Sequence, residues 1–248
     1  MVRRQFQKYV YTHLAKHRLF HPLLFKILKK KDYLDERLDK IIRNYNKTNK
    51  NFFFVQIGAN DGLKADPMYL YVKKYSWKGI LVEPVRYIFE KLKENYNGTK
   101  NVYFENVAIA DKNGYKDFYR LKNIKGKDVP LWYDEIGSFL KENVIKHKDK
   151  FPDLENYLIT EKIRCLTLDS LFKKYNLKKI DFLQIDTEGY DYYIVKQIPF
   201  NKLKPKMIRY EDRHLSAEQQ EYCKNLLIKN GYTVIQITGD TFAYLPEN

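Results

Sequence analysis

The chain has 248 residues, long enough to bury a full core and to form one α/β domain with an appendage. Its two cysteines, Cys165 and Cys223, lack metal-type spacing, which excludes a disulfide framework and a cysteine metal cluster and favours buried thiols. The net charge of +15 is uneven: residues 1–50 hold 14 Lys/Arg against 4 Asp/Glu, a net +10 that leaves only +5 for the rest.

That basic segment carries apolar residues at helical spacing, Val10 with Leu14, Leu23 with Ile27 and Leu24 with Leu28. Pro22 interrupts it, so two helices are expected, over 3–18 and 22–46. A helical cap with a solvated basic face is the plain reading. Docking on an anionic membrane surface or on a partner complex is the second. Nucleic acid is least favoured, because no groove-reading motif accompanies the charge. No uninterrupted apolar core of a secretory signal is visible, and no stretch approaches the ~20 apolar residues that cross a bilayer. The expectation is therefore a cytoplasmic protein, membrane-peripheral at most, with a basic extension (1–50) and a main domain (51–248).

From Phe52 onward, strand and helix patterns alternate. Phe52–Ile57 reads as a strand buried on both faces and runs into the glycine-rich turn Gly58–Gly62. A helix is expected around Met68–Tyr75, a short buried strand over Gly79–Val82, and a helix carrying Ile88, Leu92 and Tyr96 on one face, stopped at Asn97-Gly98. Val102–Ala110 reads as a third strand entering a turn at Asp111–Gly114. Residues 115–160 look irregular and aromatic, an insertion over a site. A strand over Ile163–Leu166 and a helix over Asp169–Tyr175 follow. Lys179–Ile185 is the fourth core strand, then a helix through Tyr193–Gln197 stopped by Pro199, and Lys206–Tyr210 is the fifth. Ser216 and Gln219 have capping-box spacing for a helix that Asn230-Gly231 ends. Tyr232–Thr238 and Thr241–Leu245 read as a hairpin about Gly239-Asp240. The sum is an α/β fold with a mostly parallel, doubly wound sheet closed by an antiparallel hairpin.

In such sheets ligands bind at the carboxyl ends of the strands, where three acidic residues fall. Glu83, 25 residues past Gly58, can accept both hydroxyls of a ribose. Asp111 is placed to border an adenine, and Asp186 to bind an ammonium group or approach a reacting centre. The alternatives are a helix-capping carboxylate for Glu83 and a turn-forming aspartate for Asp111. Asp186 ends a continuous apolar strand, so its carboxyl needs a partner.

These segments resemble the FkbM-type methyltransferase family, a Rossmann-like class I branch of the S-adenosylmethionine-dependent enzymes. The matching pieces are VQIGANDG (Val55–Gly62), ILVEPV (Ile80–Val85), VYFENVAIAD (Val102–Asp111), LTLDSL (Leu166–Leu171) and DFLQIDTEGYD (Asp181–Asp191), extended by IRYEDRHLS (Ile208–Ser216). The family's usual first motif resembles D-V-G-A-N-x-G; here Gln56 replaces the acidic residue. That leaves the seat of the methionine ammonium open, with Asp186 or Asp61 as substitutes.

The resemblance implies S-adenosylmethionine held by Gln56, Gly58, Ala59, Asn60, Asp61, Gly62, Glu83, Pro84, Ala108, Asp111 and Asp186. It implies methyl transfer to an oxygen, with Asp186, His214 and Glu211 as catalytic candidates and His214 the preferred base, because imidazole titrates near neutral pH. Glu188 and Asp212 are further candidates near the sulfur. Asp186, Glu211 and Asp212 also resemble the carboxylate set that holds Mg²⁺ in catechol-type enzymes. A carbohydrate acceptor is implied for the family, and Trp132, Tyr133, Phe139, Phe151 and Tyr157 are candidate sugar-facing rings; the alternative is that they close the domain. Ser138 is a candidate facing the cofactor. Two other classes are a nucleic-acid methyltransferase and an inactive cofactor-binding scaffold. Asp66-Pro67-Met68-Tyr69 follows the first strand instead of the fourth, which speaks against the former. The intact Gly58, Gly62, Glu83 and Asp186 speak against the latter.

Overall fold

The apolar run after Asn51 forms β1 (Phe53–Ile57), which pairs in parallel with β2 (Lys78–Val82) on one edge and β7 (Phe182–Ile185) on the other. A strand flanked on both sides in a parallel sheet is covered on both faces, which is why its residues are apolar without alternation. The computed structural model describes residues 36–64, 66, 68–124, 129–130 and 132–246. β3 (Val102–Glu105) pairs outside β2, and β8 (Met207–Glu211) outside β7, both in parallel. The hairpin of β9 (Thr233–Ile237) and β10 (Asp240–Tyr244) closes the sheet, β10 lying antiparallel against β8. The order is therefore β3-β2-β1-β7-β8-β10-β9, the mostly parallel, doubly wound sheet with a terminal hairpin that the sequence pattern predicts.

One face of the sheet, with Val55, Ile57, Ile80 and Leu183, packs on α6 (Leu168–Lys174), α7 (Asp191–Val195) and α8 (Ala217–Lys229). The other, with Phe54, Leu81 and Phe182, packs on α1 (Glu36–Thr48), α2 (Met68–Tyr75) and Phe89 and Leu92 of α3 (Arg86–Asn95). The capping box of Ser216 and Gln219 is formed at the start of α8. Cys165 and Cys223 are free and buried.

The structure departs from the sequence reading in three places. First, Val102–Ala110 is not one strand. Asn106 Nδ2 donates to the carbonyls of Glu83 (2.9 Å) and Pro84 (2.8 Å), replacing a ladder bond just past the end of β2. The chain then leaves the main sheet, and β4 (Ala108–Ile109) joins a second one, ordered β4-β6-β5. Second, the insertion is not irregular throughout. β5 (Gly114–Leu121) pairs antiparallel along its length with β6 (Leu158–Leu166), and α4 (Lys141–Ile145) and α5 (Leu154–Tyr157) lie between them. Only Phe118 and Leu121 of β5 are buried, so its apolar signal is too sparse to be read as a strand.

Third, the end of the basic extension belongs to the core. α1 buries Leu38 and Ile42 completely, and Tyr45 donates to Asp181 Oδ1 (2.7 Å), a carboxylate with no exposure. The expected helix over 3–18, and the expected second helix up to residue 35, lie outside the described residues. Among the described residues no helix is long and apolar enough to cross a membrane.

Candidate functional site

A cleft opens at the carboxyl ends of β1, β2 and β7. Its floor is the turn after β1, where the chain folds back tightly enough that Gly58 and Ala59 both donate to the carbonyl of Val82 (3.0 Å each). Gly58 has φ +78°, and a Cβ there would lie 1.7 Å from the carbonyl oxygen of Asp186. Only glycine fits where the two strand ends converge. Asn60, at φ +47°, turns the chain again, and its N–H donates to Glu83 Oε2 (3.0 Å).

Glu83 ends β2 in the cleft wall, 5% exposed, with Oε1 accepting from Val85 N–H (2.8 Å). Each oxygen keeps a lone pair for a ligand hydroxyl. Burial lifts its pKa to about 7, helped by Asp61 and Asp134 and opposed by the two backbone donors. Gln56, Ala59, Asn60, Pro84 and Ala108 also line the cleft, as expected. Asp61 and Gly62 do not. Asp61 Oδ1 accepts from the N–H groups of Leu63 (2.9 Å) and Lys64 (2.8 Å), which spends its carboxylate on the turn itself. Gly62 packs on Leu92 and Tyr96 instead. Asp111 also stays out. Its side chain is 59% exposed and pairs with Lys116 (3.4 Å).

Asp66, which the sequence reading passed over as a site residue, reaches the same cleft and is buried to 4% exposure. Burial lifts its carboxyl to about 7. Gln56 Nε2 donates to Asp66 Oδ1 (3.2 Å), yet Gln56 Oε1 and Asp66 Oδ2 find no donor among the described residues. A buried polar atom without a partner costs about 1–3 kcal/mol.

The second wall is the segment after β7. Asp186 opens onto the cleft, and Glu188, held at φ +52°, follows it. The loop is shaped by Asp191, fully buried, whose Oδ2 accepts from Thr187 Oγ1 (2.8 Å), Thr187 N–H (3.3 Å) and Gly189 N–H (3.2 Å), while Oδ1 accepts from Glu211 N–H (3.3 Å). One carboxylate thus ties β7, its loop and the end of β8 together. Sequence reasoning quoted Asp191 within its motif but gave it no role; its place at the start of a helix was the available signal.

Glu211, at the end of β8, is 5% exposed and faces the cleft. Its Oε1 pairs with Arg213 Nε (2.7 Å), and Oε2 lies 3.4 Å from His214 Nε2 without a hydrogen-bond donor among the described residues. Desolvation, together with the charges of Glu188 and Asp191, pushes both Asp186 and Glu211 above the usual carboxyl range, and Asp186 adds its own charge at Glu211. His214 does not line the cleft. It stands behind it, with Nε2 3.1 Å from Glu188 Oε2 and Nδ1 against the Lys146 ammonium.

The metal set expected from Asp186, Glu211 and Asp212 is not assembled, because Asp212 Oδ2 accepts from Thr241 Oγ1 (2.6 Å) outside the cleft. The residues that do converge are Glu188, Glu211 and His214, with one ligand atom each within 4.8 Å of one another. Lys146 and Arg213 already stand against this group, so its charge is met by protein cations and Mg²⁺ is not supported.

The insertion forms the third wall. Asp134 accepts from Lys64 Nζ (2.5 Å), and its backbone carbonyl accepts from Asn60 Nδ2 (3.4 Å), clamping the insertion to the first turn. Ser138 does not face the cleft; it is fully buried and donates to the carbonyl of Glu188 (2.9 Å). Of the five candidate aromatics only Phe139 lines the cleft. Phe151 stacks on Tyr157 (5.4 Å) in a satellite core with Leu121, Val144 and Leu154, against which Trp132 and Tyr133 also pack.

The family model for the methyltransferase FkbM domain matches residues 56–236. No curated protein sequence matches the chain. Among solved structures, a methyltransferase FkbM from Methylobacillus flagellatus KT is similar at TM-score 0.48 and 13% identity, covering 79% of this chain and 44% of that one. A methyltransferase from Pyrococcus furiosus is similar at TM-score 0.42 and 13% identity, covering 98% of each chain. One from Geobacter sulfurreducens is similar at TM-score 0.42 and 10% identity, over 91% and 87%.

Proposed function

The chain belongs to the FkbM methyltransferase family, and from that premise we propose that it methylates a sugar hydroxyl of a glycan in the cleft described above. The cofactor of the family, S-adenosylmethionine, supplies a methyl carbon already activated by a cationic sulfur. The residues present suit it. Glu83 offers two acceptor oxygens for ribose hydroxyls, Gly58 allows close approach of the backbone, and the walls are acidic.

The charge of the cleft is the observation that carries the choice of acceptor. Asp66, Glu83, Asp134 and Glu135 line one side, and Asp186, Glu188 and Glu211 the other, against Lys64 and Arg213. In a chain of net charge +15, that concentration of carboxyls suits a cationic cofactor and an uncharged acceptor. A polyphosphate strand would meet repulsion where the methyl is delivered, and an acidic cleft lacks the cation-lined path that nucleic-acid binding requires. Phe139 and Tyr190 add apolar ring surface to the wall.

We assign the proton-accepting role to Glu188. Its carboxylate faces the cleft, its backbone is fixed by Ser138 and Asn143 on its carbonyl, and His214 Nε2 holds Oε2 at 3.1 Å. His214 is then a positioning residue. Alignment of the acceptor oxygen with the methyl would fall to the walls, and the hydroxyl proton would pass to Glu188 as the C–O bond forms and the methyl–sulfur bond breaks, its electron pair staying on a neutral thioether.

Methyl incorporation from labelled cofactor into cell-surface glycan, compared with RNA and DNA, tests the acceptor; label in nucleic acid alone overturns it. Glu188→Gln should lower turnover about 10²–10⁴-fold with cofactor affinity kept. Undiminished turnover in that variant would pass the role to Asp186 or Glu211.

A further inference from the structure

Two acceptor atoms of cleft residues are buried and have no donor among the described residues. Gln56 on β1 and Asp66 beyond the first turn are each 4% exposed, and they form a linked pair. Asp66 Oδ1 is filled twice, by Gln56 Nε2 at 3.2 Å and by the N–H of Met68 at 2.8 Å. The opposite atoms, Asp66 Oδ2 and Gln56 Oε1, belong to cleft-lining residues and are the orphans. The nearby protein cations are engaged elsewhere. Lys64 Nζ is held by Asp134, and Arg209 donates to Asp240 Oδ2 (2.9 Å) and Gln184 Oε1 (3.4 Å).

A carboxylate oxygen and an amide oxygen, buried on two side chains that hydrogen-bond to each other, call for one group that carries several N–H donors and a positive charge. A primary ammonium meets that description. A hydroxyl has a single hydrogen, and a carboxylate or phosphate has none to give. We infer that Gln56 and Asp66 seat the α-ammonium group of the cofactor's methionine moiety, with Asp66 Oδ2 as the charged acceptor and Gln56 Oε1 as the neutral one. This rests on the methyl-donor reading of the same cleft. It differs from the expectation that Asp61 or Asp186 would take the role: Asp61 is spent on the turn, and Asp186 is an exposed cleft residue, not a buried acceptor left without a donor. Burial holds the empty Asp66 carboxyl near 7, and an ammonium seated against it would keep it ionised at neutral pH.

The test compares two ligands that share an adenosine and a thioether. S-adenosylhomocysteine carries the ammonium, and methylthioadenosine lacks the whole amino-acid part. Calorimetry on the full chain should show Asp66→Asn weakening S-adenosylhomocysteine about 10- to 100-fold, the range for a hydrogen bond to a charged group, with methylthioadenosine within about twofold. The double variant Gln56→Glu/Asp66→Asn moves the carboxylate across the 3.2 Å bond to the other side of the same seat, and should recover most of the lost affinity. A purely structural role would lower both ligands together and would not be rescued. Equal losses for the two ligands, or no loss for either, overturn the assignment. Wild-type protein that binds neither ligand would instead remove the cofactor reading, and this seat with it.

Discussion

At the scale of single residues, Glu83 is the sharpest case of a group whose surroundings set its chemistry. Its carboxyl accepts ribose hydroxyls best when ionised, and in the empty cleft burial holds it at about 7. Full acceptor strength is therefore present above pH 7 and is lost as the pH falls through that value. Affinity for methylthioadenosine, which has the ribose but no ammonium for Asp66 to hold, should weaken between pH 8 and pH 6, and Glu83→Gln should remove most of that dependence. Glu83→Ala should cost about 1.5–3 kcal/mol of binding, read by calorimetry. Affinity that stays the same in both variants would place the ribose elsewhere. This residue was legible because a carboxylate ending an apolar strand just before a proline has few other uses. His214 was legible only in part. Its distance along the chain from β7 puts it near the reacting centre, but no sequence pattern says whether an imidazole points into a cleft or braces the carboxylates that do.

At the scale of elements, the loop after β7 depends on one side chain. Asp191 gathers donors from Thr187, Gly189 and Glu211, so the positions of Glu188 and Glu211 are consequences of its carboxylate. Asp191→Ala should leave several buried N–H groups unfilled and lower the melting temperature, each group costing about 1–3 kcal/mol. Turnover should fall with it, because the loop that aims Glu188 loses its anchor, and a conservative Asp191→Asn should retain more of both. Asp191→Ala with wild-type melting and turnover would show that the loop holds itself. The parallel strands of the main sheet were readable as apolar runs bounded by glycine or acid. β5 was not, because a strand that presents charged residues to solvent and buries only two side chains has the sequence of a loop; its partner β6, not its own pattern, makes it a strand. The same applies to Asn106, whose side chain breaks an otherwise continuous strand by bonding to a neighbouring backbone.

At the scale of the whole molecule, the basic extension divides at residue 36. α1 shares the core with Phe52 and Trp77 through Leu38 and Ile42, and each such side chain contributes about 1.5–3 kcal/mol by burial. Removing residues 1–50 should therefore lower the melting temperature sharply, whereas removing residues 1–35 should leave the melting temperature and cofactor binding close to those of the full chain. Equal melting of both truncations would show α1 to be dispensable. Residues 1–35 contain nine Lys/Arg against two Asp/Glu, so sedimentation with anionic vesicles of the shorter truncation reads electrostatic docking separately from folding. Salt-sensitive binding that survives the deletion would refute that docking route. The expected helix over 22–46 covers most of α1, but a boundary drawn from charge alone left it outside the main domain, because an amphipathic helix is basic on the face that meets water and apolar on the face that does not.

The acid lining of the cleft bears on how a turnover ends. Methyl transfer converts a sulfonium into a neutral thioether, so the by-product leaves with one positive charge fewer than the cofactor brought in. The carboxyls of the cleft, among them Glu83, Asp186 and Glu211, are pushed toward their neutral forms, and a cationic sulfur beside them favours ionisation, so the cleft attracts the first form more than the second. The spent cofactor is thus released against a weaker pull, and product inhibition should be mild. Added salt should narrow the gap in affinity between S-adenosylmethionine and S-adenosylhomocysteine, since screening weakens the charged partner more. A gap that is absent at low salt, or that widens as salt is added, would show that the carboxyls do not sense the sulfur's charge.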